Sequence, residues 1–169
     1  VVIGHEMTHG FDDQGRRFDA DGNMRDWWTQ QDAKQFDKRT ALLVDQYNDF
    51  VAVDDVHING ELTLGENIAD FGGLCISFDA YKMSLEGRPE PEAIDGFTDD
   101  QRFYLAYSQV WRGKIRDKAL KRKCQEDVHP WGKFRVNGAL FNVPHFYETF
   151  EISENDPLFR TAEQRPVIW

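Results

Sequence analysis

Close to its start the chain reads His5-Glu6-Met7-Thr8-His9, with Val1, Val2 and Ile3 ahead and Gly10 behind. On a helix, residues four apart lie one turn above each other, so both imidazoles can aim at one point with Glu6 beside them. This H-E-x-x-H pattern is a zinc-hydrolase signature. The ion lowers the pKa of a bound water toward about 7, and a nearby carboxylate takes the proton as that water attacks a carbonyl. The same residues also describe an amphipathic helix whose histidines bind nothing, so a third ligand decides between the readings.

One class of zinc peptidase places that ligand just downstream, as H-E-x-x-H-x-x-G-x-x-H. Here the chain continues Gly10-Phe11-Asp12-Asp13-Gln14-Gly15, with no histidine in register, which excludes that class. The next candidate is Glu66 in Gly65-Glu66-Asn67-Ile68-Ala69-Asp70, where Glu66 and Asp70 share one helix face. Glu66 has a second reading, because Thr63-Leu64-Gly65-Glu66 fits the S/T-x-x-E box that opens a helix. Gly72-Gly73 weighs toward the ligand. Each glycine costs a helix about 1 kcal/mol relative to alanine, and such a pair is best explained where two backbones approach closely. Asp70 then stands behind a zinc histidine, accepting its other ring N–H and fixing its orientation.

The blocks VVIGHEMTHGFDDQGRRFDADGNMRDWW, GELTLGENIADFGG and DVHPWGKFRVNG, in that order and spacing, resemble the neprilysin family of zinc endopeptidases, which includes the endothelin-converting enzymes and the bacterial oligopeptidases O. The resemblance runs from Val1 to Trp169. It implies a mainly α fold: the C-terminal part of a thermolysin-like (gluzincin) catalytic domain, with a small hairpin and an irregular C-terminal segment. It implies one zinc ion per chain held by His5, His9 and Glu66, with Glu6 as general base and Asp70 behind a zinc histidine. The D-x-H-x(5)-R block would supply His129 to steady the oxyanion and Arg135 to hold a peptide carbonyl on the primed side. Val2, Val110 and Trp111 would line a primed-side pocket for a large apolar side chain, which makes peptides the expected substrates.

The later residues also have plainer readings. Apart from the zinc motif, His129-Pro130 reads as a loop turn and Arg135 as a solvated charge. An amide hydrolase nevertheless needs a donor where negative charge develops, and losing one typically costs about 2.7 to 4 kcal/mol of barrier. Phe103, Tyr107, Val110, Trp111 and Ile115 fall mostly at helical spacing and read equally as a buried stripe.

With 169 residues, 40% of them hydrophobic and 14% aromatic, residues 1–169 fit one domain with a sizeable core. No apolar run is long enough for a membrane span, and a net charge of −10 argues against nucleic-acid binding. The basic stretch Arg112 to Lys123 reads as a solvated helix end, where cations near a C-terminus are favourable. Val1 to Gly4 reads as helix interior with no initiator Met, so a C-terminal part of a longer peptidase is expected, partnered by the N-terminal part of the same protein. Where animal relatives carry late cysteines, this chain has Arg112, Ile152 and Pro166, which resembles a bacterial-type member and leans toward a periplasmic or secreted setting. Cys75 reads as a buried thiol and Cys124 as the end of a basic helix, with a pairing between them left open.

Thr29 to Asp32 predicts a capped helix with Ala33, Phe36, Thr40, Leu43, Tyr47 and Phe50 on one face. Val56 to Thr63 alternates around Asn59-Gly60, a hairpin signal. Helices are expected over 64–85, 99–123 and 144–150, with a loop over 87–97 and an irregular substrate segment after 123. Three functions fit: an active zinc endopeptidase or oligopeptidase, a peptide-binding scaffold with an unused metal site, or a structural metal domain. The scaffold would show a broken residue in the set, and none is broken. A structural site would need four protein ligands, whereas three leave a position open for water.

Overall fold

The computed structural model describes residues 1–168; Trp169, where the resemblance ends, lies outside them. Helix α1 (Val2–Thr8) carries His5 to Thr8 of the H-E-x-x-H motif, and the backbone then tightens into 3₁₀ turns at His9–Phe11, which holds the second histidine, and at Gly15–Arg17. Thr29 caps α2 (Gln30–Asn48) as its sequence requires: its Oγ1 accepts from the Asp32 N–H at 3.1 Å and donates to the Asp32 carboxylate at 2.6 Å. Phe36, Thr40, Leu43 and Tyr47 on the expected face are buried.

Helix α3 (Leu64–Leu85) has the expected bounds, and its start settles the second reading of Glu66. Thr63 makes no cap bond to the helix. Its hydroxyl donates back to Asn59 O at 2.9 Å and accepts from Asn67 Nδ2 at 2.9 Å, so there is no capping box and the Glu66 side chain is free to turn toward α1. The crossing of α1 over α3 is set by glycine. A Cβ on Gly4 would lie 2.9 Å from Gly73 O, and one on Gly73 would collide with the His5 backbone nitrogen.

Three expectations are corrected. The hairpin forms earlier in the chain, as β1 (Val51–Val53) antiparallel to β2 (Val56–His57), turning at Asp54 with φ 53°. Gly60 is not its turn residue: it lies so close to Val44 O of α2 that a side chain would collide, and its N–H is held by Asn48 Oδ1 at 2.7 Å. The single helix expected over 99–123 is two, α4 (Asp99–Val110) and α5 (Asp117–Glu126). Gly113 packs on the edge of Trp131, with room for a Cβ only 3.2 Å from the ring. The segment expected to be irregular contains α6 (Gly132–Leu140), and α7 (Pro144–Phe150) follows with proline in its first turn.

The helix break also changes the reading of the basic stretch. Arg112 follows the end of α4 and Lys121 to Lys123 belong to α5, whereas Lys114 and Arg116 lie in the link between them.

Leu43, Tyr47, Ile68, Leu74 and Tyr104 form the buried centre between α2, α3, α4 and the two last helices. Both cysteines are free thiols. Cys124 is buried, but Cys75 is only partly so, and burial pushes its thiol up to about 12. No helix among the described residues is long and apolar enough to cross a membrane.

If the crossing depends on Gly73, then Gly73→Ala destabilises by about 1–3 kcal/mol through overpacking. Gly10→Ala, where an added Cβ meets nothing within 4 Å, should stay within about 0.5 kcal/mol. Urea-unfolding midpoints of the two variants measure this. Equal midpoints would show that the helices cross without help from Gly73.

Candidate metal centre

The close crossing carries His5 and His9 to the face of α3 that bears Glu66. His5 Nε2 lies 3.0 Å from His9 Nε2 and 3.3 Å from Glu66 Oε2, and His9 Nε2 lies 3.5 Å from Glu66 Oε1. Tetrahedral zinc with bonds of about 2.0–2.1 Å holds its ligand atoms about 3.3 Å apart, and two imidazole nitrogens with a carboxylate, the histidines each nearest a different Glu66 oxygen, suit such an ion. Each histidine presents Nε2 because its Nδ1 is occupied: His5 Nδ1 by Asp70 Oδ1 at 2.9 Å, His9 Nδ1 by Asp12 Oδ2 at 2.7 Å.

Asp70 has the position expected of it, and Asp12 is a residue the sequence reading passed over as part of a polar stretch. Asp12 is buried, and its other oxygen accepts from the backbone N–H groups of Gln14 at 2.8 Å and Gly15 at 2.6 Å, which aims Oδ2 at the ring. The available signal was its place three residues after His9, on the same side of a helical turn.

Arg135 is not the solvated charge of its plainer reading. It is 6% exposed, with Nε and Nη2 on the two Asp70 oxygens at 2.7 Å each, Nη2 also 3.1 Å from Glu66 Oε2, and its guanidinium 3.9 Å over the Trp111 ring. Tyr107, buried beneath, donates its hydroxyl to Arg135 O at 3.1 Å. His129 also reaches Glu66, with Nε2 3.3 Å from Oε1. Asp127 Oδ1 accepts from both the His129 backbone N–H and Nδ1 at 2.8 Å, a second carboxylate to which the sequence reading gave no role.

A pocket of about 150 Å³ gathers nearly all of the predicted set: Val2, His5, Glu6, Glu66, Asp70, Val110, Trp111, His129 and Arg135 line it, together with Val1 and Tyr107. His9 alone of that set lies outside its wall. Val2 and Val110 are largely exposed at its rim, whereas Trp111 is half-buried, so the stripe reading holds for Tyr107 and fails for Val110.

Burial opposes the charge on His5, but the Asp70 and Glu66 carboxylates outweigh it and raise its pKa to about 9. Burial likewise pushes Glu66 up, and the surrounding His5, His129 and Arg135 more than reverse this, keeping it an anion. At Asp127, burial is overcome by Lys123 and His129, which hold the carboxyl well below the usual range.

Residues 1–166 match the model of Peptidase family M13. The chain belongs to this family. Among M13 relatives it is 45% identical over 152 residues to an endothelin-converting enzyme homolog of Locusta migratoria, covering 89% of this chain and 21% of that protein. It is 40% identical over 173 residues to human neprilysin, covering all of this chain and 23% of the relative. The crystal structure of the Mycobacterium tuberculosis zinc metalloprotease Zmp1 with an inhibitor superposes with a TM-score of 0.95 at 45% identity, over 99% of this chain and 26% of that one. The chain thus spans about a quarter of the length of these M13 relatives.

Two predictions follow from the carboxylates behind the histidines. Asp12→Ala should weaken zinc binding about 10- to 100-fold, as loss of such a partner does elsewhere; competition with a fluorescent chelator measures it, and unchanged affinity would remove Asp12 from the site. The second concerns protons. With its pKa raised to about 9, His5 is charged at neutral pH in the metal-free protein, an interaction that stabilises the fold fully below about pH 6.5 and is lost as pH rises through about 9. Zinc requires the neutral ring, so uptake at about pH 7.5 should release about one proton from His5. Titration calorimetry in buffers of different ionisation enthalpy counts it, and a count of zero would show His5 already neutral.

Proposed function

We propose that this chain carries the catalytic centre of a zinc endopeptidase or oligopeptidase that hydrolyses peptide bonds on the amino side of large apolar residues. The observation that carries the reading is the convergence of the His5, His9 and Glu66 ligand atoms beside a pocket that Glu6 also lines. Three protein ligands leave one position for water or substrate, which favours catalysis over a closed structural site. The rest of the polypeptide supplies the remaining walls of the peptide channel.

When bound, one zinc ion supplies Lewis acidity and an acidified water at neutral pH. The remaining work falls to side chains. Glu6 is exposed, lies next to the ligand His5 and makes no contact that would consume its carboxylate among the described residues, so it accepts the proton as water adds to the scissile carbonyl and returns it to the leaving amine. His129 directs Nε2 into the same space and stabilises the oxyanion of the tetrahedral adduct. Arg135 spends Nε and Nη2 on Asp70 and Glu66, which leaves Nη1 to hold a substrate carbonyl in a fixed direction. Val2, Val110 and Trp111 offer apolar surface to the side chain after the scissile bond.

The roles separate by substitution in the full-length protein. Glu6→Gln should keep stoichiometric zinc and lose nearly all turnover, whereas Glu66→Gln should lose the metal. Zinc analysis beside hydrolysis of a quenched fluorescent peptide reads both. If Glu6→Gln shed zinc while Glu66→Gln retained it, base and ligand would be wrongly assigned.

A further inference from the structure

We infer that Lys123 is a positioning residue for the histidine that faces the oxyanion, an inference that rests on the function proposed above. The argument begins at the end of α5. Asp127 closes that helix, its N–H bonded to Lys123 O at 3.0 Å, and the Lys123 ammonium returns to bond Asp127 Oδ2. Residues 123 and 127 are therefore tied twice, once through backbone and once through side chains.

The two Asp127 oxygens have separate tasks. Oδ2 faces Lys123, and Oδ1 receives both N–H groups of His129. His129 itself is half-exposed, with 49% of its side chain open, so packing alone does not fix its ring. Its ring has two holds: Nδ1 on Asp127, and Nε2 at 3.3 Å from Glu66 Oε1. Once Glu66 is engaged as a ligand, the second weakens and Asp127 becomes the main fixed point for the imidazole. Whatever orients the Asp127 carboxylate then decides where Nε2 points.

Lys123 does this from a rigid base. Its side chain is 21% exposed and lies beside the buried Cys124, while neighbouring cations on α5 are spent elsewhere: Lys121 on Asp54 at 2.6 Å and Arg122 on Glu126 at 2.7 Å. An i,i+4 ion pair on a surface helix ordinarily contributes little to stability. Its weight here is geometric, because a misplacement of about 1 Å in a reacting group can cost up to 10²-fold in rate. Lys123, Asp127, His129 and Glu66 thus form one continuous line from the end of α5 to the candidate metal centre.

The test uses the full-length protein with Lys123→Met, Lys123→Arg, Asp127→Asn and the Lys123→Met/Asp127→Asn double variant. Lys123→Met should lower kcat about 5- to 10-fold with KM within about twofold, as for a group that acts through the transition state. Zinc content and melting temperature should stay at wild type, and Lys123→Arg should restore kcat by placing a donor on the same oxygen. In the Asp127→Asn background, Lys123→Met should cost nothing further, since the line is already broken. An unchanged kcat in Lys123→Met overturns the inference, as does a loss that tracks falling stability without rescue by arginine, or independent losses that multiply in the double variant. Absence of zinc-dependent cleavage by wild type would instead overturn the proposed function, and this inference with it.

Discussion

A single buried carboxylate holds the site together. Asp70 is fully buried, takes His5 Nδ1 on one oxygen, and receives Arg135 on both. It thereby joins α1, α3 and α6, elements far apart in sequence. A charge so placed is costly to desolvate, and removing one partner from such a group typically costs about 3–5 kcal/mol because the other is left uncompensated. The arrangement works because Asp70 has two cationic or donor partners, which give it three hydrogen bonds. Glycine makes it reachable: only with bare backbone at positions 4 and 73 does α1 come near enough for His5 to touch Asp70.

Where the sequence speaks through local chemistry, the structure agrees with it. Thr29 and Asp32 cap α2, Pro144 opens α7, and α3 runs from Leu64 to Leu85 as its pattern requires. His5, His9 and Glu66 were legible because helical spacing alone puts two of them on one face and a glycine pair marks where the third element crosses. The misplaced hairpin has a tertiary cause: Asn59-Gly60 reads as a turn, but the close approach of α2 decides the position of Gly60. Gly60 admits the Val44 carbonyl and Gly113 admits the edge of Trp131. No single-sequence pattern distinguishes a glycine that bends the chain from one that makes room for a neighbour.

Trp111 closes α4 as its C-cap residue. Its ring lies against Arg135, while the Trp111 carbonyl packs so closely on Gly132 that no side chain fits there. The indole thus serves as a wall of the pocket and as a flat support for the guanidinium, and a desolvated cation–π contact of this kind is worth about 2 kcal/mol. Trp111 therefore lines the pocket and packs against Arg135 with the same ring.

The two histidines are supported unequally, and this divides the site into functional halves. Asp12 is held by backbone N–H groups of its own turn, so its influence ends at His9. Asp70 is shared between His5 and Arg135, so any change in its charge or position reaches both. Glu66 extends the sharing, since Arg135 and His129 lie within 3.3 Å of its carboxylate, which also belongs to the ligand set. A metal ion on Glu66 would weaken its hold on both groups, which under the proposed function are the two that contact substrate. On that reading metal occupancy and peptide binding would be linked through one carboxylate. Asp70 would keep Arg135 in place during that exchange, and Asp127 would do the same for His129.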